Sequence, residues 1–99
     1  NLVLKGAHTL IASPDGRITA LPFKSDALST AGTGDVLAGL ITGMLGQGVK
    51  PYDAAVLGSY IHGLAGNLAA ETLGNTRSVV AGDVLASISK ALTLLSLNR

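Results

Sequence analysis

At Gly34 the chain changes its period. After it, Val36, Leu37, Leu40, Ile41, Met44 and Leu45 recur at three and four residues. Before it lie short apolar or alternating runs. Period two belongs to strands and period 3.6 to helices, so a strand region hands over to a helical one at this point. Leu2–Lys5 reads as a buried strand. Thr9–Ser13 and Ile18–Phe23 read as a hairpin, with Ile18, Ala20 and Pro22 on one side and Thr19, Leu21 and Phe23 on the other. Pro14-Asp15-Gly16-Arg17 between them is a turn sequence: Pro and Asp start it and Gly supplies positive φ. Pro22 puts the second hairpin strand at an edge or near its end.

Three helices follow. The first starts near Gly34 and stops at Gly46-Gln47-Gly48. Its glycines Gly39, Gly43 and Gly46 lie on one flank, a pattern expected for close packing against another backbone. The second starts at Pro51, with Asp53 in its first turn, and ends near Leu73 before Gly74-Asn75. Its small residues Ala54, Ala55, Gly58, Gly63, Ala65, Gly66, Ala69 and Ala70 imply tight contacts. The third covers Asp83–Leu97, with Val84, Leu85, Ile88, Ala91, Leu92 and Leu95 as its buried stripe. Asn98-Arg99 reads as a natural C-terminus. Strand, hairpin, then three helices is an odd order for a complete α/β domain. It suits the C-terminal part of a larger layered sheet.

Composition agrees. Charged residues are 13% of the 99, glycines number 13, and mean hydropathy is +0.48. So few charges cover a small domain poorly, and buried surface beyond one chain is expected: a homo-oligomer, or association with a missing N-terminal half. The net charge of +1 argues against a nucleic-acid surface or an anionic membrane as partner. No cysteine is present, which excludes disulfides and thiolate metal sites. No signal peptide is visible. The uncharged stretch Ala54–Ala70 carries Ser59, His62, Asn67 and three glycines, so it reads as a close-packed helix and not a membrane span.

The handover itself, Ala31-Gly32-Thr33-Gly34-Asp35-Val36-Leu37-Ala38-Gly39, carries the chemistry. Glycines allow close backbone approach, and unpaired N–H groups at a helix start attract an anion, most often phosphate. Asp35 would repel that anion unless it has another task. Two readings stand on the residues alone: a capping acid in a turn, or a proton acceptor beside a bound phosphate. No P-loop pattern is present, and Leu37 and Asp35 fit a dinucleotide loop poorly. Lys5 ends a strand; it either neutralises a phosphate or is a solvated end. His62, mid-helix among apolar residues, reads as a satisfied core histidine. Two scattered histidines make no metal site.

Five segments occur in order and at suitable spacing: Asn1–Thr9, Pro14–Arg17, Ala31–Gly39, Gln47-Gly48 with Pro51, and His62–Gly66. Together they resemble the C-terminal portion of the NAD(P)H-hydrate dehydratases, of ribokinase-like fold. The resemblance implies the C-terminal part of a ribokinase-like three-layer α/β fold, with residues 1–99 as one partial domain. It implies a cytoplasmic repair enzyme that uses ADP or ATP, with Mg²⁺, to remove the water added to the nicotinamide ring of NADH or NADPH. Lys5, Gly6, Ala7, His8 and Thr9 would be nucleotide-binding, as would Gly32, Thr33 and Gly34. Asp35 would face the hydrated cofactor as the catalytic residue. The chain departs from the family at Phe23-Lys24-Ser25-Asp26, where a Thr-Gly-Asn-type stretch is frequent, and at Asn67, where Asp is usual. Two other readings remain: a ribokinase-like small-molecule kinase acting on a sugar or vitamin-precursor alcohol, and a non-catalytic fragment.

Overall fold

The structure is a computed structural model describing residues 1–5, 8–24, 33–74 and 81–97. Three strands, β1 (Leu2–Lys5), β2 (His8–Ala12) and β3 (Ile18–Lys24), are followed by three helices, α1 (Thr33–Gly46), α2 (Pro51–Leu73) and α3 (Ala81–Leu97). The strands form one antiparallel sheet in the order β1-β2-β3. Element order and type match the sequence reading. β3 runs to Lys24 and α3 starts at Ala81, small shifts at ends that local signals define least well.

The local devices are those the residues predict. At the hairpin turn the Gly16 N–H donates to the Ser13 carbonyl at 3.1 Å, and the Ser13 N–H donates to the Arg17 carbonyl at 2.9 Å. Gly16 has φ +92°, which makes this a type I turn closed by a left-handed residue. α1 ends in a Schellman motif: the Val49 N–H reaches the Met44 carbonyl at 3.1 Å and the Gly48 N–H reaches the Leu45 carbonyl at 3.0 Å. Gly48, at φ +89°, takes the left-handed position. α2 starts with Pro51 after an extended Lys50 and stops at Gly74, φ +80°.

α2 is the central element. On one side Ala55, Tyr52, Val56 and Tyr60 pack on Ile11, Leu21 and Val3 of the sheet. On the other, Ile61, Ala65, Leu68 and Ala69 meet Val84, Ala91 and Ile88 of α3 and Val36, Leu40 and Met44 of α1. Its small residues are buried as expected. At Gly58 an added Cβ would lie 2.8 Å from Ile41 Cγ1, so α1 and α2 touch nearly backbone to backbone there. The glycines of α1 itself do otherwise. Gly39, Gly43 and Gly46 are exposed, with nothing within 4 Å of an added Cβ, so the close approach rests on α2's glycine and not on theirs.

Two further expectations are corrected. In α3, Leu85 and Leu92 are exposed while Val84, Ala91 and Ile88 face α2; a single neighbouring surface buries only a narrow stripe. β1 is buried on one face only, through Val3, because no described helix crosses the face of Leu2 and Leu4. No helix among the described residues is long and apolar enough to cross a membrane.

Candidate functional site

α2 begins beside the hairpin turn. Tyr52, in its first turn, hydrogen-bonds the Thr19 hydroxyl and lies under the Arg17 guanidinium, 4.2 Å from ring centroid to charge. α1 is joined to α2 by a short turn and packs back along it, with Ile41 against Gly58. The start of α1 therefore lies toward the other end of the sheet. That end holds the end of β1, the start of β2 and the end of β3: Lys5 pairs with Thr9, and His8 with Lys24. Lys5, His8 and Thr9 thus lie at one end of the sheet, and Thr33, Gly34 and Asp35 open α1. Gly6, Ala7, Ala31 and Gly32 lie outside the described residues.

Asp35 is the third residue of α1 and is solvent-exposed, as is Gly34. An acid inside the first turn is favoured by the helix dipole. As the bounds of α1 run, Asp35 lies inside its first turn. Thr9 is half-buried. His62 is 2% exposed and engaged in an interaction, as expected of a core histidine. Beside it on α2, Ser59 is buried, and its Oγ has no hydrogen-bond partner among the described residues.

Two surface hollows lie elsewhere. One of about 440 Å³ is bounded by Asp15, Arg17, Lys50, Tyr52 and Asp53. Another of about 340 Å³ is bounded by Thr19, Val56, Leu57 and Tyr60. Both sit toward the hairpin-turn side, and neither is lined by Asp35 or Thr9. The Asp15–Arg17–Tyr52 cluster there was not foreseen from the sequence, because stacking across 35 positions leaves no local signal.

Residues 2–91 match the sequence profile described as NAD(P)H-hydrate dehydratase. The chain belongs to the NAD(P)H-hydrate dehydratase family. It is 52% identical over 84 residues to the bifunctional NAD(P)H-hydrate repair enzyme of Moorella thermoacetica, covering 85% of this chain and 16% of that one. It is 42% identical over 83 residues to the ADP-dependent (S)-NAD(P)H-hydrate dehydratase of Neisseria meningitidis serogroup B, covering 84% of this chain and 28% of the relative. Among solved structures it resembles Bacillus subtilis YxkO, a member of the UPF0031 family, with TM-score 0.81 and 34% identity. That likeness covers 92% of this chain and 34% of the Bacillus chain. The chain thus spans between 16% and 34% of the length of these three proteins.

Members of this family with an ADP co-substrate raise the question of Mg²⁺. The ion takes oxygen ligands and is commonly held by one or two carboxylates together with substrate phosphates. Among the described residues no three His, Cys, Asp or Glu side chains come together.

Proposed function

We propose that the chain carries the phosphoryl-transfer half of an ADP-dependent NAD(P)H-hydrate dehydratase active site. The observation that carries this is an exposed Asp35 in the first turn of α1. Backbone N–H groups at the start of α1 offer donors to an anion. Gly32, Thr33 and Gly34 bring that backbone close to the terminal phosphate of the nucleotide. Lys5, Gly6, Ala7, His8 and Thr9 hold the rest of it.

Asp35 accepts the proton of the hydrate's hydroxyl as general base. The resulting alkoxide oxygen bonds to the β-phosphorus of ADP, and the bond from that phosphorus to the bridging oxygen breaks, releasing AMP. Charge developing on the transferred group meets the N–H groups of the α1 start. The ring nitrogen's lone pair then expels phosphate to leave an iminium, and loss of a proton from the adjacent ring carbon to water restores the nicotinamide double bond. A bound Mg²⁺ would neutralise phosphate charge. The Neisseria relative's description as ADP-dependent supports ADP over ATP. A nicotinamide-nucleotide substrate fits a cytoplasmic enzyme.

The test is hydrated NADH with ADP and Mg²⁺, followed at the NADH absorbance band. Recovery of the band with equimolar AMP and phosphate supports the reading. Phosphorylation of a sugar or vitamin-precursor alcohol with no recovery of the band supports the kinase instead. The chain spans 16%, 28% and 34% of the three relatives named above, so the assay is run both on the 99 residues and on a full-length family domain carrying them. A thermal shift with ADP or AMP reads that binding directly, and its absence would favour a non-catalytic fragment.

A further inference from the structure

α2 stands between the sheet and α1. Its Ala55 packs on Ile11 and Leu21 of the sheet. Gly58, one turn further on, is buried against Ile41 of α1. A Cβ at Gly58 would lie 2.8 Å from Ile41 Cγ1, 3.5 Å from Ile41 N and 3.6 Å from Ile41 Cα, so the backbone of α1 itself borders this position. Gly39, Gly43 and Gly46 of α1 have nothing within 4 Å of an added Cβ, so none of them sets this approach. α1 is one unbroken helix from Thr33 to Gly46, and Val36, Leu40 and Met44 seat it on the core of α2 and α3. Asp35 precedes Ile41 on this helix by about 9 Å, at about 1.5 Å per residue. Close-packed interiors transmit strain, so a push at Ile41 is carried to the head of α1.

We propose that Gly58 is a positioning residue for the dehydration: its missing side chain sets how deeply α1 seats on α2, and with it the place of the Asp35 carboxylate. Gly58 touches neither nucleotide nor hydrate and acts through Ile41. The proposal rests on the reading of Asp35 as general base. An alanine methyl at 58 falls short of ordinary carbon contact with Ile41 Cγ1 by about 0.7 Å. Ile41 yields little, because a β-branched side chain in a helix has one strongly preferred χ1 rotamer. A base must lie within hydrogen-bond reach of the proton it takes, and a misplacement of about 1 Å costs about 10²-fold. A displacement of about 0.7 Å therefore costs about tenfold in kcat. AMP lacks the transferred group. In the same reading it is held by Lys5, His8 and Thr9 of β1 and β2, so its affinity is insensitive to the seat of α1.

The test uses a full-length family domain carrying these residues. Gly58→Ala, Ile41→Ala and their double variant are compared with Asp35→Asn and Ile61→Val. Turnover of hydrated NADH with ADP and Mg²⁺ is measured well below every Tm, and AMP binding by calorimetry. Gly58→Ala is expected to lower kcat about tenfold and to leave the Kd of AMP within about twofold. Ile61→Val takes a methyl from the same core without pushing a helix, so it is expected to lower Tm by about 2–4 °C and leave kcat unchanged. With Ile41 cut back to alanine the clash is gone, and Gly58→Ala is expected to change kcat by less than about twofold. Unchanged kcat in Gly58→Ala beside an impaired Asp35→Asn would overturn the positioning role alone. So would an equal loss in both Ile41 backgrounds, or an equal loss in Ile61→Val, since either makes the effect general destabilisation. Near-normal turnover in Asp35→Asn removes the base, and the positioning role with it. If Gly58→Ala does not fold, Gly58→Ala with Ile41→Val replaces it, because Cγ1 is then a chain end that yields. A kcat loss of at least about threefold there supports the proposal, and an unchanged kcat overturns it.

Discussion

Gly58→Ala tests whether α1 and α2 are as close as the structure has them. The new Cβ would sit 2.8 Å from Ile41 Cγ1, 3.5 Å from Ile41 N and 3.6 Å from Ile41 Cα. Carbon pairs are comfortable at about 3.5–4.0 Å, so the first contact is short by about 0.7 Å or more. Ile41 Cγ1 is not a free end: it carries Cδ1, and χ1 of a β-branched residue in a helix has one strongly preferred rotamer. Either Ile41 leaves that rotamer, at about 0.5–1.5 kcal/mol, or the helices part. Overpacking of this kind costs about 1–3 kcal/mol. Alanine's helix propensity returns about 1 kcal/mol. The expected net is a loss of about 1 kcal/mol, or about 4–8 °C in Tm for a domain this size. Urea unfolding followed by circular dichroism measures it. In an Ile41→Ala background the clash is gone, and the same change should stabilise by about 1 kcal/mol. Equal stabilisation by Gly58→Ala in both backgrounds would refute the close contact. A shifted α1 also carries Asp35 with it, so the activity of a complete enzyme should fall alongside stability.

Gly39→Ala and Gly43→Ala, with open space around each added methyl, should each stabilise the chain by about 0.8–1.0 kcal/mol in the same unfolding assay. Ser59→Ala removes a buried hydroxyl with no partner among the described residues and should stabilise by about 1 kcal/mol; a loss in urea unfolding would show that the hydroxyl is engaged. Asp35→Asn in a complete enzyme should leave ADP binding by calorimetry near wild type and cut dehydration about 10²–10⁴-fold; near-normal turnover removes Asp35 as base. Asp15 titrates below the usual 3.8, held down first by the Ser13 hydroxyl, then by the Arg17 backbone N–H and guanidinium. Because its folded value is depressed, the turn's gain is present above pH 3.8 and is lost as pH falls through the lower folded value. Ser13→Ala should move the Asp15 midpoint back toward 3.8 in an NMR titration.

Most of the fold was legible because the signals that define it are local. Pro14-Asp15-Gly16 makes a turn whatever surrounds it, since Gly16 takes φ +92° without steric cost. Gly48 and Gly74 stop their helices for the same reason, at φ +89° and +80°. Thr33-Gly34-Asp35 at a change of period marks a helix start, and the structure puts Asp35 in its first turn. What stayed hidden depends on which element lies next to which. Three glycines on α1 looked like a packing stripe, but they face open space while Gly58 of α2 meets Ile41, because contact is a property of two surfaces. Nothing near Arg17 in the chain announces Tyr52.

By itself the sequence determined the element order, the turn chemistry and the glycine-bounded acid at the head of α1. These follow from φ preferences, caps and hydrophobic period, each set within a few residues. The tertiary structure alone decided which face of β1 is buried among the described residues, how near α1 comes to α2, and that Arg17 lies over Tyr52. Those depend on packing between segments far apart in the chain, where burial and excluded volume choose among arrangements that local preference leaves equal.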